Sequence, residues 1–233
     1  MTESGYKQEQ PLDAARMTGW VFDLDNTIYP AANSLFPRVA ERMTDWIADH
    51  FGMDREPAAE LKARLFREHG TTMHGLINEF GLPPDDFLAF VHEIDLSDVA
   101  PDAELDRMLA SLPGAKHIYT NGTTRHAERI LEAFGIRHHF EVIFDIRASN
   151  LTPKPDPRPY RQFLELTGLD PTRSVMIEDM ARNLEPAAEM GMQTVWLVSE
   201  HEWAKQGASE PFVHYIASDL KEFLASLQLP RTG

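Results

Sequence analysis

The hydrophobic positions of this chain follow two successive grammars. A short apolar run from Gly19 to Leu24 delivers Asp23 and Asp25, spaced by one residue, and reads as a buried strand ending at the acidic pair. Pro30 and the stretch Ala31-Ala32-Asn33-Ser34 then read as a linker. Leu35, Phe36, Val39, Met43, Trp46 and Ile47 recur at spacings of three and four, which predicts a helix with Ser34 as its N-cap. Pro57 falls in the first turn of a second helix that runs to about Glu68 and stops at Gly70. A third spans Thr72 to Phe80 and ends at Gly81, and Pro84 opens a fourth, to about Ile94. From Asn33 to about Val99 no strand pattern interrupts the helices.

Past Pro101 strands and helices alternate. Strands are expected at Lys116–Thr120, Glu141–Phe144, Ser174–Ile177, Thr194–Val198 and Val213–Ile216. Helices are expected at Ala103–Leu112, Thr124–Phe134 (closed by Gly135), Arg182–Met190 (closed by Gly191) and Asp219–Leu227. A loop rich in proline (Pro153, Pro155, Pro157, Pro159) leads into another helix, to about Leu166. This alternation predicts an α/β fold with a mainly parallel sheet and helices on both faces, where ligands bind at the carboxyl ends of the strands.

At 233 residues the chain suits one large domain or a domain with an insertion. The formal net charge of -15 excludes a nucleic-acid groove or an anionic membrane surface as partner, but not a small phosphorylated substrate beside a local cation. There is no cysteine, so disulfides and thiolate metal sites are excluded. No apolar run is long enough to span a membrane. Met1 to Thr18 reads as a loose leader with a short helix from Leu12 to Met17, and its stretch Met1 to Pro11 is polar without a secretory core. A cytoplasmic protein is expected, and no pattern fixes the oligomeric state.

Four polar clusters stand at or just beyond strand ends: Asp23/Asp25, Thr120-Asn121, Lys154 and Glu178-Asp179. Taken alone, Thr120-Asn121-Gly122 reads as a turn, Lys154 as a solvated loop lysine and Glu178-Asp179 as an exposed acidic turn. The first pair is harder to dismiss, because carboxylates just past an apolar strand need a partner. All four fall on one edge of one sheet, and that edge suits phosphoryl transfer. Asp23 and Asp179 would hold a hard divalent cation such as Mg2+. A second carboxylate would protonate a leaving oxygen and activate water. Thr120 would donate to a phosphate oxygen, and Lys154 would supply positive charge.

The order Asp-x-Asp-x-Thr, Thr-Asn, Lys-Pro, Glu-Asp resembles the four motifs of the haloacid dehalogenase-like superfamily, over about Gly19 to Met192. More narrowly, Asp23-Leu-Asp-Asn-Thr-Ile-Tyr-Pro30 is similar to the signature of the pyrimidine 5'-nucleotidase subgroup. So are His69-Gly-Thr-Thr-Met-His-Gly-Leu76, Tyr119-Thr-Asn-Gly…His126-Ala-Glu-Arg129 and Asn183-Leu184…Gly191-Met192. The resemblance implies a Rossmann-like core, residues 1–32 and 99–233, with a helical cap inserted at 33–98. It implies that Asp23 forms an aspartyl-phosphate, and that Asp25 is general acid then base while its backbone carbonyl binds Mg2+. Thr120, Asn121 and Gly122 would hold the phosphate, Lys154 would balance charge, and Asp179 would bind Mg2+ with Glu178 directly or through water. His69, Thr71 and Thr72 lie in a cap loop that either touches substrate or only connects helices. Many members carry an acid four residues after the motif-four aspartate; here Asn183 stands there and is not counted as a ligand.

The expected activity is Mg2+-dependent hydrolysis of a phosphomonoester, a pyrimidine nucleoside 5'-monophosphate first. A phosphosugar phosphatase or mutase shares the core. A haloacid dehalogenase would lack Asp25. A phospho-accepting receiver domain would carry its acidic pair before the nucleophile and no cap of this size, and a silent binding protein would have lost Asp25 or Lys154. The ten histidines contain no His-Glu-x-x-His or His-x-His, and His138 and His139 would point apart in a strand or helix. Arg125 and Arg158 read as surface ion pairs.

Overall fold

Strand β1 (Gly19–Phe22) is buried along its whole length, and the rest of the sheet is built outward from it. The structure is a computed structural model that describes residues 12–30, 35–199 and 201–227. Residues 1–11 of the expected leader, the linker 31–34 and the Ser34 cap lie outside these residues. After β1 come α1 (Leu35–Phe51), α2 (Arg55–His69), α3 (Thr72–Phe80) and α4 (Pro84–Val91), with no strand among them. Then follow α5 (Ala103–Ser111), β2 (Ala115–Tyr119), α6 (Thr124–Ala133), β3 (Val142–Phe144), α7 (Pro157–Thr167), β4 (Ser174–Glu178), α8 (Glu185–Glu189), β5 (Gln193–Leu197), β6 (Tyr215–Ala217) and α9 (Leu220–Ser226).

The described strands form one sheet in the order β3-β2-β1-β4-β5-β6, and every pairing is parallel. The α/β, Rossmann-like doubly wound architecture expected from the alternation is therefore the one observed. The strand order reverses between β1 and β4, and such a switch point opens a crevice at the carboxyl ends of the two strands. Alternation along each strand serves two cores. Trp20, Phe22, Val175, Ile177 and Val195 face one, with Leu105, Ile130 and Phe223 from α5, α6 and α9. Val21, Met176 and Trp196 face the other, with Tyr160, Phe163 and Ala187 from α7 and α8. Burial on both faces is why these strands read as continuous apolar runs.

Helices α1 to α4 pack on one another, α2 against α3 and α1 against both α2 and α4. Their apolar faces are not isolated from the sheet. Leu65, Met73, Leu76, Phe87 and Val91 belong to the same cluster as Phe22 and Leu24.

Several boundaries differ from expectation, each for a local reason. Pro157 and Pro159 belong to α7 rather than to the loop before it. The first turn of a helix has N–H groups without intrahelical partners, so proline costs nothing there. The single helix expected at Arg182–Met190 is split into a 3-10 turn, Ala181–Leu184, and α8, whose Pro186 sits in its first turn. Helix α4 stops at Val91 rather than near Ile94, and beyond its end Arg129 takes the carbonyls of His92 and Ile94 at 2.8 and 2.7 Å. The Leu12–Met17 helix is a 3-10 turn at Ala14–Arg16, and this end of the expected leader is not loose, because Leu12, Ala14 and Met17 are buried in the main core. His138 and His139 do not point apart: in a 3-10 turn both Nε2 atoms meet Asp106 Oδ1, at 3.2 and 2.8 Å.

Candidate active site

The two central strands carry the acids. The ladder continues one residue past β1, where Asp23 N–H donates to the Ile177 carbonyl at 3.0 Å. The chain then turns sharply: Asn26 has φ 62° and Ile28 N–H returns to the Leu24 carbonyl at 3.0 Å. Asp23 is thereby buried at the strand end, while Asp25 stays partly exposed at 19%. On β4, Glu178 and Asp179 are both buried, and the Trp196 indole N–H holds the Asp179 carbonyl at 2.7 Å.

Lys154 reaches this pair of strands from the loop after β3. Its Nζ lies 2.6 Å from Asp23 Oδ1, 2.6 Å from Glu178 Oε2 and 3.0 Å from the Tyr119 carbonyl. Asn121 Oδ1 accepts the Lys154 backbone N–H at 2.9 Å, which ties the lysine loop to the end of β2. Thr120 is buried beside it, and its hydroxyl accepts the Gly122 N–H at 2.9 Å. That bond leaves the hydroxyl hydrogen free to donate toward an incoming oxyanion. The core residues singled out in the sequence, Asp23, Asp25, Thr120, Asn121, Gly122, Lys154, Glu178 and Asp179, thus stand at the ends of β1, β2 and β4 and in the loop that follows β3.

The charge balance is uneven. Carboxylate oxygens of Asp23, Glu178 and Asp179 all lie within 4.8 Å of one another, against one ammonium. Burial, then the Glu178 charge, raise the Asp23 carboxyl to about 7, with Lys154 acting against them. Burial, then Glu178 and Asp23, raise Asp179 well above the carboxylate range. Burial opposes the Lys154 charge, but Asp23 and Glu178 outweigh it and raise the ammonium above its usual value. Three buried acids with one cation are an oxygen donor set short of positive charge, which fits a hard divalent metal. Asn183 is buried, and its Oδ1 has no hydrogen-bond partner among the described residues.

Asp25 has different company. His126 Nε2 lies 2.9 Å from its Oδ1, and the Tyr29 hydroxyl donates to the same oxygen. Burial alone would raise this carboxyl, but His126 and Tyr29 together hold it below the usual carboxylate range. Burial, then His126, push the adjacent His92 down to about 3, so its imidazole is neutral. Neither His126 nor Tyr29 was a candidate on sequence. The available signal was the turn: a residue four past Asp25 can fold back onto it.

The loop residues of the helical block find partners within the block. His69 Nε2 meets Glu79 at 2.7 Å, Thr71 Oγ1 caps α3 by accepting the His74 N–H at 3.1 Å, and the buried Thr72 hydroxyl faces the Lys62 carbonyl at 3.5 Å. These three side chains thus hold packing and capping contacts within the helical block. The loop still touches the core, since Arg182 donates to the Gly70 carbonyl at 3.3 Å. Arg125 and Arg158 are surface pairs with Glu93 and Asp156, as expected.

Comparison with known proteins adds the following. The profile of the family described as haloacid dehalogenase-like hydrolase matches residues 17–191. The chain is 25% identical over 213 residues to Phosphate metabolism protein 8 of Saccharomyces cerevisiae, covering 83% of this chain and 65% of that protein. It is 29% identical over 161 residues to Enolase-phosphatase E1 of Thioalkalivibrio sulfidiphilus, covering 67% of this chain and 61% of that protein. The chain thus spans less than two thirds of the length of these curated relatives. The structure of the HAD-hydrolase YfnB from Bacillus subtilis, bound to magnesium, superposes with a TM-score of 0.60 at 16% identity, over 92% of this chain and 100% of that one. This last likeness is one of fold.

Proposed function

The chain belongs to the haloacid dehalogenase-like hydrolases, and from that premise we propose that it hydrolyses small phosphomonoesters through an aspartyl-phosphate on Asp23. The observation that carries this reading is Lys154 Nζ held at 2.6 Å from both Asp23 and Glu178, at the strand ends where Thr120 and Asp179 also stand. Lys154 occupies Asp23 Oδ1, so Oδ2 is the oxygen available to attack phosphorus. As the new O–P bond forms, the ester P–O bond breaks and Asp25 gives its proton to the leaving oxygen. A phosphate dianion beside Asp25 favours the protonated form needed for this step. In the second half Asp25 takes a proton from water, the water oxygen attacks phosphorus, and the bond to Asp23 breaks to release phosphate. Thr120, Asn121 and Gly122 steady the phosphate oxygens throughout.

The metal that suits the acidic cluster is Mg2+, with Asp23, Asp179, Glu178 and the Asp25 carbonyl as its candidate ligands. When bound it supplies positive charge to the phosphate. Residues 33–98 form the cap over a core made of 1–32 and 99–233, and the protein is read as cytoplasmic. The substrate class nearest the sequence signatures is a pyrimidine nucleoside 5'-monophosphate. A phosphatase name on one relative supports phosphate ester hydrolysis without favouring a nucleotide.

The test is phosphate release from uridine, cytidine, thymidine and adenosine 5'-monophosphates and from several sugar phosphates, with Mg2+ and with chelator. Turnover is expected only with the divalent ion, restored when it is returned, and strongest on pyrimidine nucleotides. Asp23→Asn is expected to lower kcat by about 1,000-fold or more while keeping the fold. Substantial activity in that variant would refute the nucleophile, and a preference for sugar phosphates would refute the nucleotide while leaving the chemistry.

A further inference from the structure

Asp25 Oδ1 receives two hydrogen bonds, one from His126 Nε2 at 2.9 Å and one from the Tyr29 hydroxyl. A carboxylate oxygen only accepts, so the His126 hydrogen must sit on Nε2. With both lone-pair directions of Oδ1 filled, that oxygen has no place for a proton of its own. No hydrogen bond from a described residue reaches Oδ2.

His126 is itself held from three sides. It is buried at 1% exposure, its backbone N–H meets the Thr123 hydroxyl at 3.3 Å, and its ring stacks on His92 with centroids 4.4 Å apart and planes 17° from parallel. His92 Nδ1 faces the Thr123 hydroxyl at 3.0 Å, and Arg129 clamps the carbonyls of His92 and Ile94. The ring that touches Asp25 is therefore fixed by the segment where the helical block returns to the sheet.

We propose that His126, together with Tyr29, is a positioning residue that confines the transferable proton of Asp25 to Oδ2, the oxygen these donors leave free. The inference rests on the reading of Asp25 as general acid. In that step the Oδ2–H bond breaks and a bond from hydrogen to the leaving oxygen forms, while the electrons of the broken P–O bond pass to that oxygen. Without the two donors the carboxyl binds its proton more readily, but it can rotate and carry that proton on either oxygen, and delivery to the leaving group suffers. Leaving groups that depart as stable anions suffer least.

That difference gives the experiment. kcat/KM is measured for phenyl phosphate and 4-nitrophenyl phosphate, similar in size but unequal in their need for a proton, in the wild type and in His126→Ala, Tyr29→Phe, His126→Gln and Asp25→Asn. This constant reports steps up to formation of the aspartyl-phosphate. The ratio of the nitrophenyl to the phenyl ester is expected to rise about tenfold or more in Asp25→Asn, His126→Ala and Tyr29→Phe, as loss of a general acid requires. His126→Gln, whose amide N–H reaches the place of Nε2, is expected to bring the ratio back toward wild type. Tyr29→Phe is nearly isosteric and keeps the test decisive if His126→Ala folds poorly. A ratio that rises in Asp25→Asn but not in His126→Ala and Tyr29→Phe overturns the inference and leaves Asp25 as the acid. A ratio unchanged in Asp25→Asn shows that Asp25 is not the acid, and the inference falls with it.

Discussion

At the end of β1 a single ammonium, on Lys154, faces more carboxylate than it can balance. Asp23 moves from 3.8 to about 7, and Asp179 moves the same way. A carboxyl whose proton affinity is raised by folding binds more protons folded than unfolded between its two pKa values. Its contribution is fully present below the lower value and is lost as pH rises through the upper one. For Asp23 the metal-free protein therefore loses stability from about pH 4 to about pH 7. A divalent cation at these oxygens competes with the same protons. The melting temperature with millimolar Mg2+ minus that with chelator is expected to be near zero at about pH 5 and several degrees at about pH 8. A difference constant with pH would place the cation elsewhere. Asp23, Asp25 and Asp179 were readable as residues because each follows or ends an apolar strand, and Lys154 because its Lys-Pro step completes the motif order. Tyr29 offered only the hint of the turn, and His126 offered none, because an imidazole far along the chain carries no local sign of which carboxylate it will meet.

Among the elements, α2 and α3 depend on a close approach at Gly75. A Cβ there would lie 2.7 Å from Leu65 Cβ and 2.8 Å from Leu65 Cδ2. Alanine would otherwise gain about 1 kcal/mol in a helix interior. Overpacking of this kind costs about 1–3 kcal/mol, so Gly75→Ala is expected to lower stability by roughly 1 kcal/mol, read from urea unfolding. A stabilised variant would show that the two helices separate freely. The helices themselves were legible from spacing, proline and glycine: α3 runs from Thr72 to Phe80, the bounds its pattern predicts. The early end of α4 was not, and the carbonyls just beyond it meet Arg129, far along the chain. The contacts of Thr71 and Thr72 were likewise hidden. A threonine at a helix start serves as cap, packing or ligand, and only its neighbours in space decide which.

For the molecule as a whole, a net charge of -15 repels the dianion it is proposed to bind. Raising ionic strength from about 0.01 M to about 0.15 M shortens the screening length from about 30 Å to about 8 Å. KM for a dianionic phosphomonoester is then expected to fall by about twofold, read from initial rates at fixed Mg2+. A KM that rises with salt would mean that the local field of the lysine and the metal governs the encounter. The sequence by itself determined the alternation of strands and helices, the helical block after β1, the parallel class of the sheet and the core acids, because these depend on periodicity and on residues within a few positions of a strand end. Only the tertiary structure decided that β1 and β4 are neighbours at the reversal of strand order, which puts Asp23, Glu178 and Asp179 within one cation's reach. It alone decided that His126 meets Asp25, and that His69 turns to Glu79. Such contacts join residues far apart in the chain, and their energy depends on burial and on distances that no local pattern encodes.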